Sequence, residues 1–213
     1  DYGNAEKATG AVSLRLKVDW KERLSTFLIS EKDYLDFGNV MILGISDEVN
    51  NLCVPTSDIE DVAKFIKSLD VNIPLGVAYD LTAYEDHMVG ANPLPESLPE
   101  NVDVIGVFEY GIFDPNDPQN PLNATKDWKE RWNSFKSILG SRKVVFILNA
   151  FCNNIHTQLG WVQNCTPEYV KPLTILSYRW RDWALSEPDV IGILGFTWRS
   201  WNYPVWVGTR DMH

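Results

Sequence analysis

The sequence predicts an α/β fold built on parallel strands, and three observations carry that expectation. Five short apolar runs recur along the chain, at 39–46, 73–79, 102–108, 143–150 and 190–198. Each is nearly continuous in Val, Ile, Leu and Phe rather than alternating, as strands covered on both faces are. Segments of helical periodicity separate most of the runs, and a β-α-β succession implies parallel strands joined by right-handed crossovers.

Taken in order, the first thirty residues carry two patterns. Val12, Leu14, Leu16 and Val18 alternate as in a strand, whereas Val12, Leu16, Trp20 and Leu24 recur as on a helix, and only a helix over about Asp19–Ile29 is expected. After the run NVMILGIS comes TSDIEDVAKFIKSLD, with Ile59, Val62, Ile66 and Leu69 on one helical face and Ser57 and Glu60 spaced as a capping box. The run IPLGVAY leads into Tyr84–Glu100, where Pro93, Pro95 and Pro99 replace helical periodicity with an irregular connection. After VDVIGVF, the segment DWKERWNSFKSILG places Trp128, Trp132, Phe135 and Leu139 on one face and stops at Gly140. After KVVFILNA, a second aromatic stripe of Val170, Leu173, Leu176, Trp180 and Trp183 ends before Pro188, and VIGILGFTW comes next. Both stripes have the spacing of a core-facing helix rather than of a cofactor site.

The chain has 213 residues, enough for one sizeable core, and a single domain over 1–213 is expected. A composition of 45% hydrophobic and 23% charged residues is that of a globular protein rather than a disordered one. The net charge of -10 would repel a phosphate backbone, so no nucleic-acid partner is expected. No stretch reaches the roughly 18 apolar residues of a spanning helix, so no membrane span is expected. Asp1 stands where neither an initiator Met nor a signal region does, which reads as a processed chain or an excised piece.

Cys152 and Cys165 flank one short loop at a separation that a disulfide could close, against the alternative of packed, reduced thiols. Asn123-Ala-Thr and Asn164-Cys-Thr are glycosylation acceptors in turn-rich segments. Together these point to a secreted, extracellular glycoprotein.

Functional residues of parallel α/β folds collect after the carboxyl ends of the strands. Those ends carry Asp47 and Glu48, Asp80, Glu109 and Tyr110, Asn149, and Trp198, Arg199 and Trp201. Carboxylates converging with aromatic residues suit sugar chemistry. Cleaving an acetal needs a protonated acid at the leaving oxygen and a second anionic or substrate group at the oxocarbenium-like centre. Glu48 is the candidate acid, with Asp47 beside it to raise its proton affinity. The competing reading has Asp47 capping a turn and Glu48 solvated. Glu109 is the candidate second carboxylate, or else a charged residue leaving the sheet. Asp80, Tyr110 and Asn149 are candidate substrate contacts, although Asp80 opens an acidic stretch with Glu85 and Asp86 that reads equally as a solvated turn. Trp198 and Trp201 are candidates for stacking on a pyranose, or for core packing.

His87, His156 and His213 show no metal-ligand spacing, so no metal is expected. The chain holds no Gly-x-Ser-x-Gly elbow, phosphate-binding loop or dinucleotide fingerprint, and no cofactor is expected.

With these residues placed, MILGISDEVN resembles the fourth strand of glycoside hydrolase barrels, where an acidic residue precedes the proton-donating Glu. Asp47-Glu48-Val49, with Gly44 upstream and Cys53 downstream, is similar to the hexosaminidase pattern, although Ile45-Ser46 replaces its paired glycines and no Trp follows Cys53. VDVIGVFEYG, KVVFILNAFC and GILGFTW resemble the sixth, seventh and eighth strands of such barrels. The resemblance implies a (β/α) barrel of TIM type, present here in part because five strands cannot close an eight-stranded barrel of about 250 residues. The missing N-terminal strands would lie on another piece of chain; an open sheet is the alternative. The resemblance also implies substrate-assisted cleavage, with Asp47 orienting an acetamido group and Glu48 as acid. Where the largest glycosidase clan carries a nucleophilic Glu after strand seven, this chain has Asn149-Ala150.

The expectation is therefore a secreted glycoside hydrolase acting on a carbohydrate through carboxylate acid/base catalysis. The alternatives are a non-catalytic glycan-binding or structural glycoprotein on a degenerate barrel, and a barrel completed by a second chain or fragment.

Overall fold

A computed structural model describes residues 2–5, 13–36, 38, 40–47, 49–50, 52–81, 95–109, 125–149, 151–153, 170–196 and 206–208. In chain order the elements are β1 (Tyr2–Ala5), β2 (Ser13–Leu16), α1 (Trp20–Ser30), α2 (Lys32–Asp36), β3 (Leu43–Ser46), α3 (Thr56–Ser68) and β4 (Leu75–Asp80). They continue with β5 (Val104–Glu109), α4 (Thr125–Leu139), β6 (Lys143–Asn149), β7 (Phe151–Asn153), α5 (Val170–Ser186), β8 (Val190–Phe196) and β9 (Trp206–Gly208).

All five apolar runs contribute a strand, and the strands hydrogen-bond in the order β3-β4-β5-β6-β8 as a parallel sheet. The protein is α/β. Two antiparallel ladders stand apart from this sheet, β1 with β2 and β7 with β9. Burial on both faces holds for β4 and β5: every residue of β4 is buried, as are Val104, Ile105, Val107 and Phe108 of β5, while β6 buries Val144 and Phe146 and leaves Val145 and Ile147 half-buried. It does not hold at the ends. No residue of β3 is fully buried, and Ile191, Ile193 and Leu194 of β8 are exposed, because an end strand has a neighbour on one side only.

The chain clusters into two compact units: Asp1–Asp80 with Tyr84–Gly106 and Phe135–Lys143, and Leu81–Ala83 with Val107–Ser134 and Val144–His213. In the first, both patterns of the N-terminal segment are realised in succession, since β2 takes the alternating part and α1 the helical part. α3 lies against β3 and buries Ile59, Val62, Ala63 and Ile66, whereas Leu69, expected on the same face, is exposed just past the helix end.

The expected capping box does not form. α3 starts two residues earlier than a Ser57 cap would give, at Thr56, and its N-cap is Pro55, whose side chain accepts no hydrogen bond. Glu60 is engaged elsewhere, accepting from the Asn101 backbone N–H at 3.0 Å, from the Asn101 side-chain amide, and from Lys64. Asp58, in the first turn of α3, instead ties the helix to β2, accepting from Arg15 Nε at 3.0 Å, Arg15 Nη2 at 3.1 Å and the Leu16 N–H at 3.2 Å. A carboxylate at a helix N-terminus also meets the positive end of the helix dipole.

Gly140 ends α4 as expected, with a left-handed φ of 63° that costs glycine little. The Arg142 guanidinium closes this end by donating to the carbonyls of Leu139 at 3.0 Å and Pro99 at 2.7 Å. Residues 95–101 contain neither helix nor strand, in keeping with the irregular connection that the prolines imply; 84–94 lie outside the described residues. In the second unit, Trp132 of α4, Phe146 of β6, and Trp180 and Trp183 of α5 form one aromatic cluster, with centroids 5.2 Å, 5.4 Å and 5.6 Å from the Phe146 ring. The two aromatic stripes are core, as their spacing implies; the side chains of Trp128, Val170, Leu173 and Leu176 lie outside the described residues.

Candidate functional site

Within the first unit, the neighbouring strands β3 and β4 deliver two of the expected acidic residues at their carboxyl ends, β4 running three residues past the last pair, Ser46–Val77. β3 pairs with β4 through Leu43–Leu75 and Gly44–Gly76, after which the register shifts so that Ser46 faces Val77. One residue, Ile45, is thus extra on β3. Such a bulge bends the strand and re-aims the residues beyond it, the first of them past the strand end being Asp47. The side chain of Ile42, just before β3, crowds Gly76 of β4, where a Cβ would lie 2.8 Å from Ile42 Cγ2.

Asp47 comes directly after β3 and is exposed. Asp80 is the last residue of β4 and only 2% exposed, so it is no part of a solvated acidic turn. Side chains alternate along a strand, so Asp80 and its neighbour Tyr79 leave β4 on opposite faces. Tyr79 packs against Phe135 with ring centroids 5.5 Å apart. Burial pushes the Tyr79 phenol well above its ordinary range, and the Arg142 guanidinium opposes that shift in part.

The loop between β3 and α3 is tied down at several points. The Val49 N–H donates to Ala78 O at 3.2 Å, and the Val49 side chain is 2% exposed. Val54 N–H donates to Val49 O at 2.9 Å and Cys53 N–H to Asn50 O at 3.3 Å, which folds the loop into a turn with Cys53 at a φ of 47°. Leu52 O accepts from Leu14 N–H at 3.0 Å, joining the loop to β2. Asn50 makes two bonds to a single residue. Its Nδ2 donates to Asp80 O at 2.6 Å, and its Oδ1 accepts from Asp80 N–H at 2.9 Å. Sequence reasoning does not single this residue out, since an Asn just past a strand is an ordinary turn residue and nothing local shows that it reaches the next strand.

In the second unit, Glu109 closes β5 and Asn149 closes β6, where it lies opposite Phe196 of β8. Their side chains lie outside the described residues. So do Glu48, Tyr110, Trp198, Arg199 and Trp201, the acceptors Asn123 and Asn164, and Cys165; Cys152 falls in β7, opposite Val207. An apolar cavity of about 320 Å³ between α1, β3 and α3, lined by Trp20, Leu24, Phe27, Leu43, Ile45 and Ile66 among others, contains none of the expected site residues.

Among the described residues no group of His, Cys, Asp and Glu could hold a metal ion, and no helix is long and apolar enough to cross a membrane. No protein-family model matches the chain, and a search of curated proteins finds no match to it.

Proposed function

We propose that the chain is a single carbohydrate-active domain of glycoside hydrolase type, a partial (β/α) barrel whose reaction centre lies at the ends of β3 and β4. The observation that carries this reading is the meeting of Asp80, enclosed at the end of β4, with the loop that bears Asp47 and Glu48, joined through Asn50. Acidic groups held at adjacent strand ends on a pinned backbone are what acetal cleavage requires, because the acid and the charge-stabilising group must be fixed relative to the same bond.

Glu48 is the proposed acid, protonating the leaving oxygen. Asp47, exposed beside it, orients an acetamido group of the substrate, or Asp80 supplies the second carboxylate. The barrel reading is supported by the strand order, which runs along the chain without reversal, as in a barrel; a doubly wound sheet reverses at a switch point. The exposed ends of that order, β3 and β8, are where further strands, on this chain or a second one, would add. Secretion, glycosylation at Asn123 and Asn164, and a Cys152–Cys165 disulfide belong to the same proposal.

One observation favours a second reading, a glycan-binding or structural glycoprotein without catalysis: β6 ends in Asn149, where a barrel glycosidase of the largest clan carries its nucleophilic Glu. The test is hydrolysis of a panel of aryl glycosides, including N-acetylhexosaminides, by the wild type, Glu48→Gln and Asp80→Asn. Loss of turnover in the Glu48 variant is expected, and undiminished turnover refutes its role. Binding to a glycan array without hydrolysis by any form establishes the second reading.

A further inference from the structure

We infer that Asn50 is a positioning residue, holding the Asp47-Glu48 loop in register with Asp80; this rests on the function proposed above. The Asn50 carboxamide offers a donor and an acceptor side by side, and both are used on one residue, with Nδ2 to Asp80 O at 2.6 Å and Oδ1 to Asp80 N–H at 2.9 Å. This is the pattern by which a backbone unit pairs in a sheet. The β3–β4 ladder ends at Ser46 and Val77. The Val49 N–H bond to Ala78 O and the Asn50 carboxamide continue it by two further ties along β4, after β3 itself has ended.

The clamp bears on the chemistry in two ways. The backbone of Asp80 is gripped on both its N–H and its C=O, so the starting direction of its side chain is set. The loop carrying Asp47 and Glu48 is anchored two residues beyond Glu48 and cannot shift along β4 without breaking both bonds. The turn within the loop, Cys53 N–H to Asn50 O and Val54 N–H to Val49 O, supports the anchor from its other side. Few side chains can do this. Alanine makes neither bond, and a carboxylate at the same place sets a second acceptor against Asp80 O. A displacement of about 1 Å in a catalytic group is enough to cost on the order of 100-fold in rate.

The experiment measures kcat and KM of the full chain, wild type, Asn50→Ala and Asn50→Asp, on the aryl glycoside that the wild type cleaves best, well below each variant's melting temperature. Both variants are expected to lose roughly 10- to 100-fold in kcat with KM changed less than about threefold, because the clamp sets geometry for the reaction rather than contacting the sugar. Hydrogen exchange at the Asp80 amide is expected to accelerate in Asn50→Ala. If kcat stays within about twofold of the wild type in Asn50→Ala while Glu48→Gln is inactive, the function stands and the positioning role is refuted. If the wild type cleaves no glycoside of the panel, the function fails and the inference falls with it.

Discussion

Phe146 is the point at which the aromatic core of the second unit is most open to test. Its side chain is 0% exposed, and its ring meets those of Trp132, Trp180 and Trp183 at 5.2 Å, 5.4 Å and 5.6 Å. Phe146→Ala removes a ring from a site walled by three indoles that cannot collapse inward without breaking their own contacts, of which Trp180 and Trp183 stack at 5.4 Å. The cost is therefore set near the middle or upper part of the range for a buried Phe, about 4 kcal/mol. Phe146→Leu keeps most of the volume and loses the edge-to-face geometry, at about 1–2 kcal/mol. Urea unfolding monitored by far-ultraviolet circular dichroism is the suitable assay, since indole fluorescence would report the altered cluster directly. At a slope of about 2.5 kcal/mol/M, Phe146→Ala should lower the midpoint by about 1.6 M. A loss under about 1 kcal/mol for Phe146→Ala, or equal losses for Ala and Leu, would show that the cluster does not carry the core.

The Tyr79 phenol, pushed up by burial, contributes stability that is complete below about pH 10, the value of an unfolded tyrosine, and is lost above it at about 1.4 kcal/mol per pH unit. Tyr79→Phe should flatten that alkaline decline in thermal unfolding; an unchanged slope refutes the account. Glu60 is displaced the other way: burial works against its ionisation, but hydrogen bonds from Asn101 and Lys64 outweigh it and hold its carboxyl below the ordinary range. Its contribution is present above about pH 4.5 and disappears as pH falls through the lowered value, so Glu60→Gln should make acid unfolding less steep there. Gly76→Ala should cost about 1–3 kcal/mol, because the new Cβ would lie 2.8 Å from the stiff, β-branched Ile42. Adding Ile42→Ala should recover part of that loss in a double-mutant cycle, and simple additivity would exclude the clash.

Most of the architecture is legible in the chain because it is written in local periodicity. Continuous apolar runs mark the five sheet strands, and Ile59, Val62 and Ile66, or Trp132, Phe135 and Leu139, mark buried helix faces at helical spacing. The small ladders are less so: β2 shows as the alternation of Leu14 and Leu16, but β1, β7 and β9, of three or four residues with mixed composition, leave no period to detect. The capping box fails for a related reason: Ser57 and Glu60 have the right spacing, but the choice of first helical residue belongs to Pro55, and Glu60 is claimed by Asn101, 41 positions away.

The candidate site shows the same limit more sharply. Asp80 and the acidic residues beyond it form one polar stretch in sequence, and nothing local separates a buried carboxylate from a solvated turn. The separation comes from position in the sheet. β4 has neighbours on both sides and all six of its residues are buried, so burial runs through Asp80. Asn50 is the converse case, a residue whose type suits any turn and whose role depends wholly on the adjacent strand ending within reach of its amide. Sequence locates the end of β3 and the acidic pair just past it; only the fold of the β3–α3 loop against β4 brings Asn50, two residues beyond that pair, to the backbone of Asp80. Any test confined to Asp47 and Glu48 would therefore examine the chemical groups and leave out the tie between their loop and β4.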